Sequence, residues 1–212
     1  MSPVIKFGSF KYMKDLYKNG IIYFNPISVF KEYNDTFRGD KNECTIKAVQ
    51  ASKAKIVHEY NDEIFTIDES NGLRNQVIVS STEMYLNKLL YCLYIIKNIK
   101  NDKDKYIDDK VLKFGKVAVY IYDQTEFFNR IVNEVRKQKI PLVGKEIQYT
   151  DINDYNGNWS VFKKTKDYEY QNEYRFCIAA KENKPLALRI GSIEDISYLL
   201  HSKELNSKIR IN

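Results

Sequence analysis

The stretch Tyr168-Glu169-Tyr170-Gln171-Asn172-Glu173-Tyr174-Arg175-Phe176-Cys177-Ile178 alternates with period two, the repeat of a β-strand. Tyr170, Tyr174, Phe176 and Ile178 fall on one face, with Asn172 among them. Gln171, Glu173, Arg175, Cys177 and Ala179 fall on the other. Side chains two apart lie roughly 7 Å from one another along a strand, so a carboxylate stands in line between an amide and a guanidinium. The aromatic face suits packing. The other begins polar and ends small, as the floor of a cleft does. The plainer reading is an exposed strand whose Glu173 and Arg175 form a surface ion pair.

Upstream of this stretch, Val4–Phe7 is predicted to be a strand, followed by a helix that Ser9 opens and Asn19-Gly20 stops, with Phe10, Met13, Leu16 and Tyr17 as its apolar stripe. Ile21–Phe24 reads as a second strand, and Asn25-Pro26 as the start of a helix through Ile27, Phe30 and Tyr33. The polar run Asn34–Glu43, holding Arg38-Gly39-Asp40, reads as a loop. Strands at Thr45–Val49, Ala54–Tyr60, Glu63–Ile67 and Gln76–Ser80, parted by turn residues, suggest a meander. Leu89–Ile96 reads as a buried strand, with a short helix as the alternative an apolar run leaves open, Asn98–Lys110 as a charged, mobile loop and Lys116–Tyr122 as a strand. A helix capped by Asp123 or Thr125 carries Phe127, Phe128, Ile131, Val132 and Val135 on one face and ends before Pro141. Strands at Glu146–Tyr149, Leu186–Ile190 and Ser197–Leu200 complete the order. A few helices set among many short strands argue for an α+β domain.

A chain of 212 residues is large enough for one domain with a real core, and residues 1–212 are read as a single domain. The hydrophobic fraction of 43% excludes a disordered chain, and the eight glycines and four prolines, scattered singly, mark no linker. A net charge of +6 permits an anionic ligand or nucleic acid without demanding one. Cys44, Cys92 and Cys177 are widely spaced, odd in number and form no CxxC, so buried thiols in a reducing compartment are expected. The start lacks the apolar core of a signal peptide, and Leu89–Ile96 is far short of the roughly 20 residues of a membrane span. The expectation is a soluble, cytoplasmic protein with no membrane partner.

GxGxxG, Walker A, GxSxG and HExxH are all absent. His58 and His201, the two histidines, are remote in sequence from any Cys or paired carboxylate, so neither a metal site nor a Cys/His nucleophile is expected. Three segments together resemble the ADP-ribosyltransferase superfamily. The first is the strand–helix–strand from Lys6-Phe7-Gly8-Ser9-Phe10 to Ile21-Ile22-Tyr23-Phe24. In that superfamily a His or Arg on the first strand holds the adenosine side of NAD, and here Lys6 stands there. The second is Tyr23 to Tyr33, similar to the tyrosine pair that sandwiches nicotinamide, although nine residues intervene here where the family has ten. The third is Gln171-Asn172-Glu173, which looks like the Q/E-x-E segment bearing the catalytic Glu. The chain is also similar overall to a group of bacterial and phage proteins with a late "K...y.yQ.E.R" pattern, matched by Lys166, Tyr168, Tyr170, Gln171, Glu173 and Arg175.

The resemblance implies a split β-sheet core flanked by a few helices, and NAD as substrate. Glu173 and Gln171 would be the catalytic pair, and Lys6, Phe7, Tyr23, Tyr33, Arg38 and Arg175 the ligand contacts. Cleavage of the nicotinamide–ribose bond develops positive charge on the ribose, which a fixed carboxylate at Glu173 stabilises. Gln171 would orient the acceptor, Tyr23 and Tyr33 would stack on nicotinamide, and Lys6 and Arg38 would meet the pyrophosphate. The expected function is ADP-ribosyl transfer to a macromolecule, protein or nucleic acid, or hydrolysis of NAD, in a bacterial toxin, phage or defence setting. The competing expectations are an inert nucleotide- or nucleic-acid-binding module of the same fold, and a structural or inhibitory protein acting by its surface. Taken singly, Tyr23 and Tyr33 suit core packing, Lys6 suits covering an edge strand, and Arg38-Gly39-Asp40 suits a plain turn.

Overall fold

The apolar run after Asn87 forms the strand on which the main sheet is built. In the computed structural model, residues 2–31, 40, 42–53, 55–60, 63–68, 70, 76–81, 83–97 and 107–208 are described. The chain opens with β1 (Val4–Gly8), α1 (Phe10–Asn19), β2 (Ile21–Pro26) and α2 (Ile27–Lys31). Next come β3 (Thr45–Gln50), β4 (Ile56–Tyr60), β5 (Glu63–Ile67), β6 (Gln76–Ser80) and β7 (Lys88–Ile95). They are followed by α3 (Asp109–Leu112), β8 (Val117–Ile121) and α4 (Gln124–Lys137). The last part holds β9 (Leu142–Glu146), β10 (Gln148–Thr150), β11 (Gly157–Asn158), β12 (Lys163–Thr165) and β13 (Glu173–Ala179). It ends with β14 (Leu186–Arg189), β15 (Ser197–His201) and α5 (Leu205–Lys208). The architecture is α+β with open antiparallel sheets.

β7 joins the parts of the main sheet. One of its edges pairs with β13 along its length, from Glu173↔Tyr94 to Ala179↔Lys88, and β9 closes that side. The other edge forks. β1 meets β7 only at Val4↔Ile95 and Ile5↔Tyr94, then continues along β8 to Gly8↔Val117. β2 meets β7 only at Asn25↔Leu90 and Pro26↔Leu89, and carries β14 on its far side. Among the described residues, Tyr91, Cys92 and Leu93 face no strand on this edge, and the sheet is split there. β1 and β2 are both antiparallel to β7 and therefore run parallel to each other, linked by α1 as a crossover. The ends of the unit are held on β7 while its middle stands open.

Alternation on the strands sorts the side chains into two cores. Val4, Phe24, Leu89, Leu93, Val119, Phe176 and Ile178 pack with Met13 and Leu16 of α1 and Phe127, Ile131 and Val135 of α4. Asp123, not Thr125, caps α4, accepting from the Glu126 amide at 3.0 Å. Arg130 ties that helix to the chain before β15 by a two-pronged contact with Asp195, 3.1 and 2.6 Å. The opposite face of the sheet carries two smaller clusters. Ile5, Tyr94, Ile96, Val111, Ala118 and Leu205 form one, and Ile27, Cys44, Leu90 and Val161 form the other.

Several expectations are corrected. The strand in the opening stretch begins only at Glu173. Lys166–Gln171 is a 3-10 helix, and Asn172 turns the chain with φ 37° while its carbonyl accepts the Ile95 amide at 2.8 Å. Two tyrosines and a polar run wound into one short helix mimic period two. The four strands after residue 44 are not a meander, because β4 and β5 pair as a hairpin inserted between β3 and β6, which pair with each other. The strand expected at Glu146–Tyr149 is divided: Glu146 ends β9, which starts at Leu142 and closes the β13 edge, and Gln148 begins β10. Of the supposed mobile segment 98–110, residues 98–106 lie outside the described residues. Its end is packed instead: Ile107 is buried, with its amide and carbonyl held by Asn206 at 2.9 and 3.0 Å, and α3 starts at Asp109.

Gly20 ends α1 in the left-handed conformation, φ 58°, beside Gly191, and a Cβ placed there would lie 1.7 Å from the Gly191 carbonyl oxygen. Gly20→Ala is therefore expected to lower stability by more than about 1 kcal/mol, since backbone strain and a backbone clash add. Denaturant unfolding measures it, and a loss under that value refutes the close approach of these two segments.

Candidate functional site

Glu173, the first residue of β13, lies beside Tyr94 of β7 on the sheet face that bears the two smaller clusters. It does not sit on the surface. Glu173 is 8% exposed and Arg175, two residues on, is 0% exposed. Arg175 donates from Nε to Glu173 Oε1 at 2.7 Å and from Nη1 to the Val161 carbonyl at 2.7 Å and to Glu43 Oε2 at 3.2 Å. Its Nη2 serves Glu43 Oε1 and, at 3.4 Å, Glu173 Oε2. All five N–H donors of the guanidinium are thereby used. Lys164 of β12, 3% exposed, places Nζ 2.8 Å from Glu173 Oε2, 3.8 Å from Glu43 Oε1 and 2.6 Å from Gln171 Oε1. Two carboxylates and two cations thus form one buried, charge-balanced cluster, lying between the two apolar clusters of that face.

Burial on its own would raise the Glu173 carboxyl. The charges of Arg175 and Lys164, with hydrogen bonds from Arg175 and the Cys92 thiol, outweigh it and hold the group well below the usual carboxylate range. The Glu173 amide donates to Tyr149 Oη at 2.9 Å, which fixes the start of the strand. Asp40, 1% exposed, stands at the margin of the cluster; burial and then the Glu43 charge raise its carboxyl.

Lys6 occupies the split between β1 and β2. Its Nζ donates to the Cys92 carbonyl at 2.7 Å, one of the groups that the fork leaves without a strand partner, and lies 4.4 Å from the centroid of the Tyr91 ring. Its other two N–H donors have no hydrogen-bond acceptor among the described residues. Loss of water around the ammonium lowers its pKa, opposed in part by the charge of Glu173. Two cavities meet at this lysine. One, about 150 Å³, is lined by Lys6, Phe7, Phe30, Cys92, Tyr94, Phe114, Lys164, Gln171 and Glu173. The other, about 570 Å³, is lined by Lys6, Phe7, Gly8, Ser9, Tyr12, Tyr23, Asn25, Tyr91, Phe114 and Pro185. Lys6, Phe7 and Phe114 are walls of both. The larger lies within the size of small-molecule sites, and the smaller holds only part of a ligand.

The structure therefore brings Lys6, Phe7, Gln171 and Glu173 to one cavity and Tyr23 to the adjoining one. Gln171 arrives from the 3-10 helix, not from the strand face shared with Glu173. Arg175 was expected as a ligand contact. It is buried behind Glu173 with every donor engaged, so it lines neither cavity and serves to position that carboxylate. Tyr33 and Arg38 lie outside the described residues. Sequence reasoning missed Lys164 and Glu43, whose contacts across 9 and 132 residues leave no local pattern. It also missed Tyr91, legible as buried but not as a cavity wall. Cys44, Cys92 and Cys177 are not joined in disulfides. Among the described residues no group of three or more His, Cys, Asp and Glu converges as metal ligands do, and no helix is long and apolar enough to cross a membrane. Comparison with protein-family models, with curated proteins and with solved structures gives no match.

The cluster generates two expectations for stability. Arg175→Met leaves two buried carboxylates with Lys164 as their only close cation among the described residues, and should cost about 3–5 kcal/mol, the usual cost of removing one partner from a buried pair. A surface ion pair would cost less than about 1 kcal/mol. The second concerns acid. Glu173 titrates lower in the folded than in the unfolded state, so its contribution is complete above the ordinary value of about 4.3 and is lost as pH falls through the folded value. Glu173→Gln should have lower stability than the parent at neutral pH and a shallower decline below about pH 4. Parallel acid-unfolding profiles of the two proteins contradict the assignment.

Proposed function

We propose that the chain binds a nucleotide in the paired cavities and cleaves the nicotinamide–ribose bond of NAD, passing ADP-ribose to a macromolecular acceptor or to water. The observation that supports this reading is the pairing of the two cavities: an ionised carboxylate, Glu173, in one, and on their common wall an ammonium, Lys6, with two donors unused among the described residues. The N-terminus of α1 borders the larger cavity through Gly8 and Ser9, has no side-chain cap and carries no acidic residue in its first turn, so its free amides suit a phosphate beside Lys6. Tyr12 and Tyr23, in edge-to-face contact at 5.4 Å, give a flat ring an apolar surface.

In the proposed reaction the bond between ribose C1′ and the nicotinamide nitrogen breaks, nicotinamide leaves as a neutral molecule, and an acceptor oxygen or nitrogen bonds to C1′ and loses its proton. Glu173 accepts a hydrogen bond from a ribose hydroxyl and stabilises the cationic ribose. Gln171, held through its carbonyl by Lys164, borders the same space and orients the acceptor. The departures from the superfamily pattern, Lys6 in place of His or Arg and the shorter tyrosine spacing, fall on the ligand side of the site.

The second reading is an inert nucleotide- or nucleic-acid-binding module of the same shape. It is favoured by the pairing of Glu173, because a carboxylate whose charge is matched by Arg175 and Lys164 presents less field to a developing cation than a free one. Nicotinamide release from NAD separates the two. The enzyme reading expects release by the parent protein and a loss on the order of 10²-fold in Glu173→Gln, counted per folded molecule. NAD binding by that variant should change far less, because the ground-state ribose is uncharged. Binding without release, with any protein or nucleic-acid acceptor supplied, establishes the second reading.

A further inference from the structure

Tyr91 carries a polar group that no described residue uses. The residue is 2% exposed, and its hydroxyl is buried without a hydrogen-bond partner among the described residues. An unsatisfied buried hydroxyl is costly, and native structures hold few of them. It stands where β7, still paired with β13 through Phe176, has an open edge on the side of β1 and β2, and the residue lines the larger cavity together with Tyr23 and Asn25. Lys6 lies across the same ring, Nζ 4.4 Å from its centroid, held by one hydrogen bond to a backbone carbonyl.

We propose that the Tyr91 hydroxyl is a specificity-determining contact for the heterocycle of a nucleotide, reached when the anionic part of the ligand draws the Lys6 ammonium off the ring. The inference rests on the nucleotide reading of the site and adds to it the residue that reads the base. An anion in the cavity offers the two unused Lys6 donors a stronger acceptor than the Cys92 carbonyl, because charge-assisted hydrogen bonds are roughly twice as strong as neutral ones. With the ammonium displaced, the phenol gains a partner in a ring nitrogen or carbonyl of the ligand, and Asn25 supplies a second polar group on the same wall. Tyr23 offers its face to the ring plane. A ligand that has the heterocycle but no phosphate leaves Lys6 in place and binds weakly. One that has the phosphate but no heterocycle leaves the phenol without a partner.

Tyr91→Phe removes the hydroxyl and nothing else. In the free protein it should raise Tm by roughly 2–4 °C, because an unsatisfied buried group is deleted. Calorimetric titration of the parent and the variant with NAD, ADP, adenosine and ribose 5-phosphate should give a roughly 10-fold weaker Kd for NAD and ADP in Tyr91→Phe. Ribose 5-phosphate, which has no base, should bind both proteins equally. Equal binding of NAD and ADP by parent and variant overturns the inference and leaves the nucleotide reading standing. A lowered Tm also overturns it, because the hydroxyl is then satisfied in the free protein. Absence of binding by the parent to any of the four overturns both.

Discussion

The guanidinium of Arg175 is the group on which the site depends. A fully buried cation is tolerated only when each donor finds an acceptor and its charge is matched, and Glu43, Glu173 and the Val161 carbonyl supply both conditions. Those partners come from three distant parts of the chain: the turn before β3, the first residue of β13, and the segment before β12. One side chain therefore fixes the relative placement of the inserted strands, the main sheet and the connection between them. Lys164 repeats the arrangement from β12, bridging the same two carboxylates and reaching Gln171. Packing alone would hold these segments loosely, because apolar contact is not directional. Ionic geometry adds direction.

The split in the sheet supplies the second constraint. Along the stretch of β7 that neither β1 nor β2 covers, strand alternation points the backbone groups of Tyr91 and Leu93 at β13 and those of Cys92 into the gap. Buried backbone groups without partners are unfavourable. Lys6 answers one of them at the Cys92 carbonyl with a side chain, at the cost of drying its own ammonium, which is why its pKa is depressed. A strand neighbour would have satisfied Cys92 more completely and closed the space. The gap is what lets a lysine on one strand wall both cavities, and what leaves the Tyr91 phenol inside the sheet beside them.

How much of this could be read from the sequence depended on the range of the interactions. Glu173, Arg175 and Cys177 were rightly set on one face and Tyr174, Phe176 and Ile178 on the other, because strand alternation is local. The helices opened by Ser9 and capped by Asp123 were legible for the same reason: stripe, cap and stop lie within a few turns. The period-two reading failed upstream of Glu173, where Tyr168, Tyr170 and Asn172 imitate a strand but the two tyrosines belong to a 3-10 helix that the left-handed Asn172 ends. The burial of Glu173 and Arg175 was not legible either. A Glu-x-Arg pair looks the same in water and in a core, and the difference is made by Lys164 and Glu43, which sequence alone presents as members of charged surface runs. The hairpin inserted between β3 and β6 failed for a related cause, since pairing is decided by partners across the fold.

The same cluster that organises the fold bears on the chemistry of the carboxylate. A lone buried glutamate would titrate high and be neutral at physiological pH, and a neutral acid stabilises no cation. Arg175 and Lys164 keep Glu173 ionised, and in doing so each screens part of its charge. The two effects act at different distances. Ionisation is decided at the carboxylate itself, where both cations sit within 3 Å. The field in the cavity is decided by how far a ligand lies from each charge, and Arg175, wholly buried and not part of the cavity wall, is the more remote of the two cations, whereas Lys164 and Glu173 both line it. A hydrogen-bond donor on a ligand in that space meets the carboxylate directly and the guanidinium only through it. Both Glu173 oxygens already accept from Arg175 or Lys164, so in the proposed reaction the carboxylate would offer a ligand its remaining lone pairs, with its counter-charge reduced chiefly by Lys164, the one cation of the buried cluster that shares the cavity with it.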